Sequence, residues 1–145
     1  MARQVLFLCT GNSARSQMAE GLVNHFLAGR WQAFSAGTQP TGAVHPLAVQ
    51  VMAEIGIDIA AQRSKPLAEY EGQTFAVVLT LCAGAAENCP FWPGHGPTRH
   101  VGFPDPAQAT GTPEERLQAF RQVRDAMRAQ VLQFLANWPD HQQGD

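Results

Sequence analysis

Cysteine is scarce in this chain: there are three, an odd number. Without a secretory leader, that count argues against a structural disulfide framework and points the thiols toward redox chemistry or metal binding. Long apolar runs are missing too. The opening "MARQVLFLCTG" has one basic residue and then a short apolar run, Val5 to Leu8, too short for a secretory core or a membrane span. A cytoplasmic protein is therefore expected. A strong charge of either sign is also absent: the net charge of -2 gives no pull toward nucleic acid or an anionic membrane, so any anion site has to be local. Repeats, low-complexity tracts and linkers are lacking. With 45% hydrophobic and 15% charged residues, one soluble domain spanning 1–145 is expected, with 140–145 ("DHQQGD") a frayed tail. No apolar stripe is left over for a partner copy, which suggests a monomer.

The patterning that is present reads as alternating strands and helices. Val5 to Leu8 has the continuous apolar character of a strand buried on both faces. In "SQMAEGLVNHFLAG", Met18, Leu22 and Phe26 recur every four residues, giving a helix that starts near Ser16 and stops at Gly29. "WQAFSAG" is a second strand, and "HPLAVQVMAEIGI" a second helix with Pro46 in its first turn. "FAVVLTLC" is the third strand and "RHVGF" a fourth; Pro113 to Leu135 is one long helix. This order predicts an α/β fold with a parallel sheet, in which ligands sit at the carboxyl ends of strands. Cys9 and Cys82 both fall at such ends.

Between the first strand and the first helix lies "CTGNSAR". Gly11 and Asn12 tolerate positive φ, which lets successive backbone N-H groups turn toward a common centre. The helix N-terminus adds donors and partial positive charge, and Arg15 supplies a planar fork able to grip two oxygens. Thr10, Gly11, Asn12, Ser13, Ala14 and Arg15 together suit a tetrahedral oxyanion. Cys9 would lie at the floor of that cradle, with Ser13 or Ser16 as a hydroxyl donor. Cysteines in such settings titrate well below the ordinary thiol value of about 8.5, which would make Cys9 a nucleophile. On position alone it reads as a small buried hydrophobe. A nucleotide-binding P-loop fits less well, since "GNSARS" lacks the second glycine and the lysine.

Cys82 and Cys89 stand seven residues apart. On a regular helix that spacing would separate their Cα atoms by about 10 Å, beyond the roughly 7 Å a disulfide allows. Joining them requires the segment to unwind, which Gly84 and Pro90 make inexpensive. Cys82, Cys89, His95 and His100 also offer four zinc-type ligands, although structural zinc pairs are normally two to four residues apart. Asp105, in "GFPDPA", reads as a turn residue beside proline. Glu20 and Glu54 read as solvated helix-face carboxylates. His25 and His45 read as surface positions, and His95 and His100 as loop residues. Trp31, Trp92 and Trp138 read as packing residues, with Trp92 alternatively shaping a partner-facing surface.

The segment "CTGNSARS" after a first strand resembles the low-molecular-weight protein tyrosine phosphatase superfamily. "SQMAEG", "LTLC...ENCPFWPG" and "VGFPDPAQATG" resemble more narrowly the thioredoxin-coupled arsenate reductases on that fold. The resemblance covers about Val5 to Leu135. It implies a four-stranded parallel sheet flanked by helices, a part in arsenical resistance, and no cofactor. It also implies a three-thiol relay: Cys9 attacks arsenate, Cys82 attacks Cys9 and releases arsenite, Cys89 attacks Cys82, and thioredoxin reduces the outcome. Arg15 and Ser16 support Cys9, phosphate competes with arsenate, and Asp105 is the general acid. Several such relatives bind potassium with residues matching Asn12, Ser35 and a carboxylate in the stretch "QRSKPL". Here that stretch has Arg63 and Lys65 instead, so no potassium dependence and no metal are expected. Phosphatase members usually have a second cysteine inside the loop and an aromatic residue after the Asp-Pro pair. Ala14, Ala107 and Gln108 depart from that pattern, leaving hydrolysis of aryl phosphates through a Cys9 phosphoenzyme as the alternative. An oxyanion-binding or zinc-binding module is the alternative without chemistry.

Overall fold

The computed structural model describes residues 2–83, 92, 94 and 96–139. Its elements run β1 (Arg3–Cys9), α1 (Arg15–Phe26), β2 (Trp31–Gly37), α2 (Pro46–Glu54), β3 (Val77–Thr80), β4 (Thr98–His100) and α3 (Pro113–Ala136). The strands form one parallel sheet in the order β2-β1-β3-β4. This is the predicted four-stranded parallel α/β domain.

Periodicity placed the elements because each buries the face its sequence offers. Val5, Leu6, Phe7 and Leu8 are all fully buried, as a central parallel strand requires. Val5, Phe7, Val77 and Leu79 share a cluster with Met18 and Leu22 of α1, Val51 of α2 and Phe120 and Met127 of α3. Leu6, Leu8 and Val78 belong to a second, smaller cluster with Ala36, Phe75 and Trp92. Trp92 is therefore a packing residue: its ring meets Phe75 edge-on at 5.9 Å, and only 5% of the residue is exposed.

The helix ends follow local chemistry. Pro46 opens α2, where His45 caps the helix by accepting from the Leu47 N-H through Nδ1. His45 is thus half-buried rather than a plain surface position, and burial lowers its pKa. Thr112 and Glu115 form a capping box ahead of α3. β4 is shorter than the predicted "RHVGF", ending at His100. Single bonds from Val101 N to the Thr80 carbonyl and from Phe103 N to the Leu81 carbonyl continue the pairing past it. Among the described residues no helix is long and apolar enough to cross a membrane.

Glu54 is not a solvated bystander. It accepts from Arg121 at 2.8 Å and from Arg124 at 2.8 Å, tying α2 to α3. Arg124 also donates to the Val51 carbonyl.

Candidate active site

β1 delivers Cys9 to the carboxyl edge of the sheet, where the thiol is free and almost fully buried. The next four carbonyls all face away from the loop centre. Thr10 O accepts from Gln39 N, Gly11 O from Thr41 N and the Ser64 hydroxyl, Asn12 O from the Gln17 amide, and Ser13 O from His45 N. In a planar trans peptide the following N-H points opposite to the carbonyl. The amides of Gly11, Asn12, Ser13 and Ala14 are thereby turned inward, as the sequence suggested.

The backbone achieves this with one left-handed residue rather than two. Asn12 has φ 46°, while Gly11 stays outside the positive-φ region. A non-glycine residue there is strained and persists when its surroundings hold it. Asn12 is fully buried and amply held: its Oδ1 accepts from Lys65 N at 2.7 Å, and its Nδ2 donates to Ser16 Oγ at 2.7 Å. Gly37 gives the loop room. A Cβ there would lie 2.5 Å from Thr10 O and 2.9 Å from Cys9 O.

Ser16, not Ser13, is the hydroxyl beside the sulfur, with Oγ 2.9 Å from Cys9 Sγ. Arg15 is the first residue of α1, whose N-terminus has no side-chain cap and no acidic residue in its first turn. Its guanidinium is 3% exposed and donates to Phe103 O at 3.0 Å and Leu81 O at 3.4 Å. Those two carbonyls aim the fork and bring the chain bearing Cys82 against it. Asp105 Oδ2 lies 3.7 Å from Arg15 Nη2, and Asp105 also accepts from the Ala107 N-H at a short 3-10 turn. The turn role and the place beside Arg15 coexist.

Cys82 is buried and disulfide-bonded. Cys89 and His95 lie outside the described residues. His100 closes β4, its Nδ1 2.9 Å from the Thr80 hydroxyl, and His25 is exposed as expected.

Behind the loop, Lys65 occupies a buried polar site. Its Nζ donates to Arg63 O at 2.6 Å and lies 3.4 Å from Ser35 Oγ and 3.7 Å from Glu20 Oε1. Ser35 in turn donates to Glu20 at 2.5 Å. Glu20 is thus no solvated carboxylate. Burial raises its pKa and lowers that of Lys65, outweighing their mutual attraction. Burial and partner made this site invisible to helix-face periodicity, as they did Gln17, a fully buried polar residue of α1.

A family model for low molecular weight phosphotyrosine protein phosphatase matches residues 4–143. An arsenate reductase of Shouchella clausii (strain KSM-K16) is 45% identical over 135 residues, covering 92% of this chain and 96% of the relative. An arsenate reductase of Bacillus subtilis (strain 168) is 44% identical over 130 residues, covering 90% and 93%. A solved arsenate reductase in the phosphate binding state superposes with a TM-score of 0.72 at 30% identity, over 94% of this chain and 99% of the other. A free cysteine at the floor of a loop of inward amides, an arginine closing that loop and a match across nearly the whole length lead to one assignment: the chain belongs to the low molecular weight phosphotyrosine protein phosphatase family.

Proposed function

We propose that the chain is an enzyme that reduces arsenate to arsenite, with Cys9 as nucleophile. The observation that carries this reading is the position of Cys9 Sγ, 2.9 Å from Ser16 Oγ at the base of a loop whose carbonyls all face outward. The relatives of Shouchella clausii and Bacillus subtilis are named arsenate reductases, and an arsenate reductase solved in the phosphate binding state supports an oxyanion as the occupant.

In the proposed sequence the Cys9 thiolate attacks the arsenic of arsenate held by the inward amides and Arg15. An oxygen leaves as water after protonation, and Asp105 gives that proton; its position 3.7 Å from Arg15 supports the role. The Cys82 thiolate then attacks Cys9 Sγ. The sulfur-arsenic bond breaks with its electron pair going to arsenic, so As(V) becomes As(III) and the two sulfurs are oxidised to a Cys9-Cys82 disulfide. Cys89 attacks Cys82 and frees Cys9, and thioredoxin reduces the remaining disulfide by thiol-disulfide exchange. Arg15 bonded to Leu81 O supports the proximity of Cys82 to the site, and the disulfide at Cys82 favours a redox role over zinc binding.

The phosphatase reading keeps one observation in its favour, the Arg15-Asp105 pair, which serves phosphate as well as arsenate. Hydrolysis of aryl phosphates is the secondary activity expected of the same loop.

Arsenate turnover with a thioredoxin system tests the relay. Cys9→Ser is expected to be inert, Cys82→Ser to stall before arsenite leaves, and Cys89→Ser to complete at most one turnover. Sustained cycling by Cys89→Ser would rule the relay out.

A further inference from the structure

Gln17 lies in the first turns of α1, fully buried, with no place in the chemistry above. Its Nε2 faces three acceptors: Asn12 O at 3.0 Å, Asn12 Oδ1 at 3.0 Å and Arg63 O at 2.7 Å. Its other face is held by Gln62, whose Nε2 donates to Gln17 O at 3.0 Å and to Gln17 Oε1 at 2.8 Å.

The side-chain amides of Gln62, Gln17 and Asn12 each have their direction fixed by a main-chain group, which cannot reverse its role. Two backbone carbonyls require the Gln17 atom facing them to be a donor. The Gln17 carbonyl requires the same of Gln62. Lys65 N-H requires an acceptor from Asn12, so Oδ1 faces Lys65 and Gln17 while Nδ2 faces Ser16. Ser16 Oγ, already accepting a hydrogen bond from Asn12 Nδ2, has its own O-H to donate, and Cys9 Sγ lies 2.9 Å away.

We propose that Gln17 is a positioning residue: together with Lys65 N-H it holds the Asn12 amide in the one direction that lets a hydrogen-bond chain, Gln62 to Gln17 to Asn12 to Ser16 to Cys9, present the Ser16 hydroxyl as a hydrogen-bond donor to the Cys9 sulfur. If the Asn12 amide turned over, Oδ1 would face Ser16, the hydroxyl would donate to it, and the sulfur would lose its donor. Gln17 opposes that reversal because an Asn12 NH2 group would then confront the Gln17 NH2 group. It also grips Asn12 O, the outward carbonyl of the left-handed residue. This inference rests on the reading of Cys9 as the nucleophile.

The test is the rate of Cys9 alkylation by iodoacetamide at pH 7 in the fully reduced chain, followed at Cys9 by peptide mass spectrometry. Wild type is compared with Gln17→Met, Ser16→Ala and the double variant, each checked for folding by thermal melting. Gln17→Met is expected to slow the reaction about tenfold, the scale of one hydrogen bond to a charged group. Ser16→Ala should slow it comparably, and the double variant should be no slower than Ser16→Ala alone. Gln62→Leu, at a less buried position, serves if Gln17→Met does not fold; it should slow alkylation severalfold, and only while Ser16 is present. Wild-type rates in the folded glutamine variants, or effects that multiply with Ser16→Ala, would overturn the proposal. Fast wild-type alkylation with unaffected variants sinks this inference alone. A wild-type Cys9 no more reactive than glutathione sinks the nucleophile reading beneath it.

Discussion

The ammonium of Lys65 lies 3.7 Å from the carboxylate of Glu20, with the Ser35 hydroxyl against both. A cation attached to the chain thus stands among the oxygen ligands that a bound monovalent ion would use, behind the Asn12 that shapes the loop. Turnover is expected to be equal in potassium chloride and in choline chloride at matched ionic strength. Lys65→Ala should lose activity and recover part of it when potassium is added. A steep rise of wild-type activity with potassium contradicts this account.

In the proposed mechanism Asp105 gives the proton to the departing oxygen. Asp105→Asn keeps the acceptor for Ala107 N-H and removes the acid. Hydrolysis of p-nitrophenyl phosphate should fall about a hundredfold, the usual scale for one general acid, with little change in melting temperature. An unchanged rate would leave Asp105 as a turn residue only.

Gly37→Ala tests the loop geometry from outside the loop. The added methyl meets Thr10 O and Cys9 O, both backbone and both unable to swing aside. A cost of about 1–3 kcal/mol in stability is expected, together with weaker phosphate inhibition, because the displaced carbonyls carry the inward amides with them. Calorimetry and a phosphate inhibition series measure the two effects separately.

The sequence exposed what is local. β2 matches its predicted span residue for residue, and α3 differs by one residue at its end, because apolar spacing alone decides where such elements bury their faces. The loop was legible for the same reason: cysteine, small residues and arginine are contiguous. What stayed hidden depends on partners far along the chain. Gln17 reads as a polar helix position, yet one of its acceptors is Arg63 O, 46 residues on. Leu81 O and Phe103 O, which aim Arg15, are backbone atoms with no sequence signature. Glu54 looked solvated because its arginines sit on another helix. Gly11 was expected to share the left-handed turn, but Asn12 takes it alone, since only Asn12 has a side chain to hold it there.

Glu54 gives a pH signature. Hydrogen bonds from Arg121, and then from Arg124, hold its pKa at about 2 against an ordinary value of 4.5. A folded acid with a depressed pKa binds fewer protons than the unfolded chain, so its stabilisation is complete above pH 4.5 and is lost as the pH falls toward 2. The carboxylate is partly exposed, which limits the effect to less than about 1 kcal/mol. Glu54→Gln should melt lower than wild type at pH 7, and the two melting curves should converge as pH 2 is approached. Parallel curves across that range would show that the arginine contacts do not act on the carboxylate.

The most direct test of the central claim is single-turnover arsenite release from the fully reduced chain, mixed with arsenate in the absence of any external thiol. About one arsenite per chain is expected from wild type, in line with a two-electron oxidation of one thiol pair, and none from Cys9→Ser. Arsenite released by Cys9→Ser, or none released by wild type, would contradict the assignment of Cys9 as the sulfur that attacks arsenic.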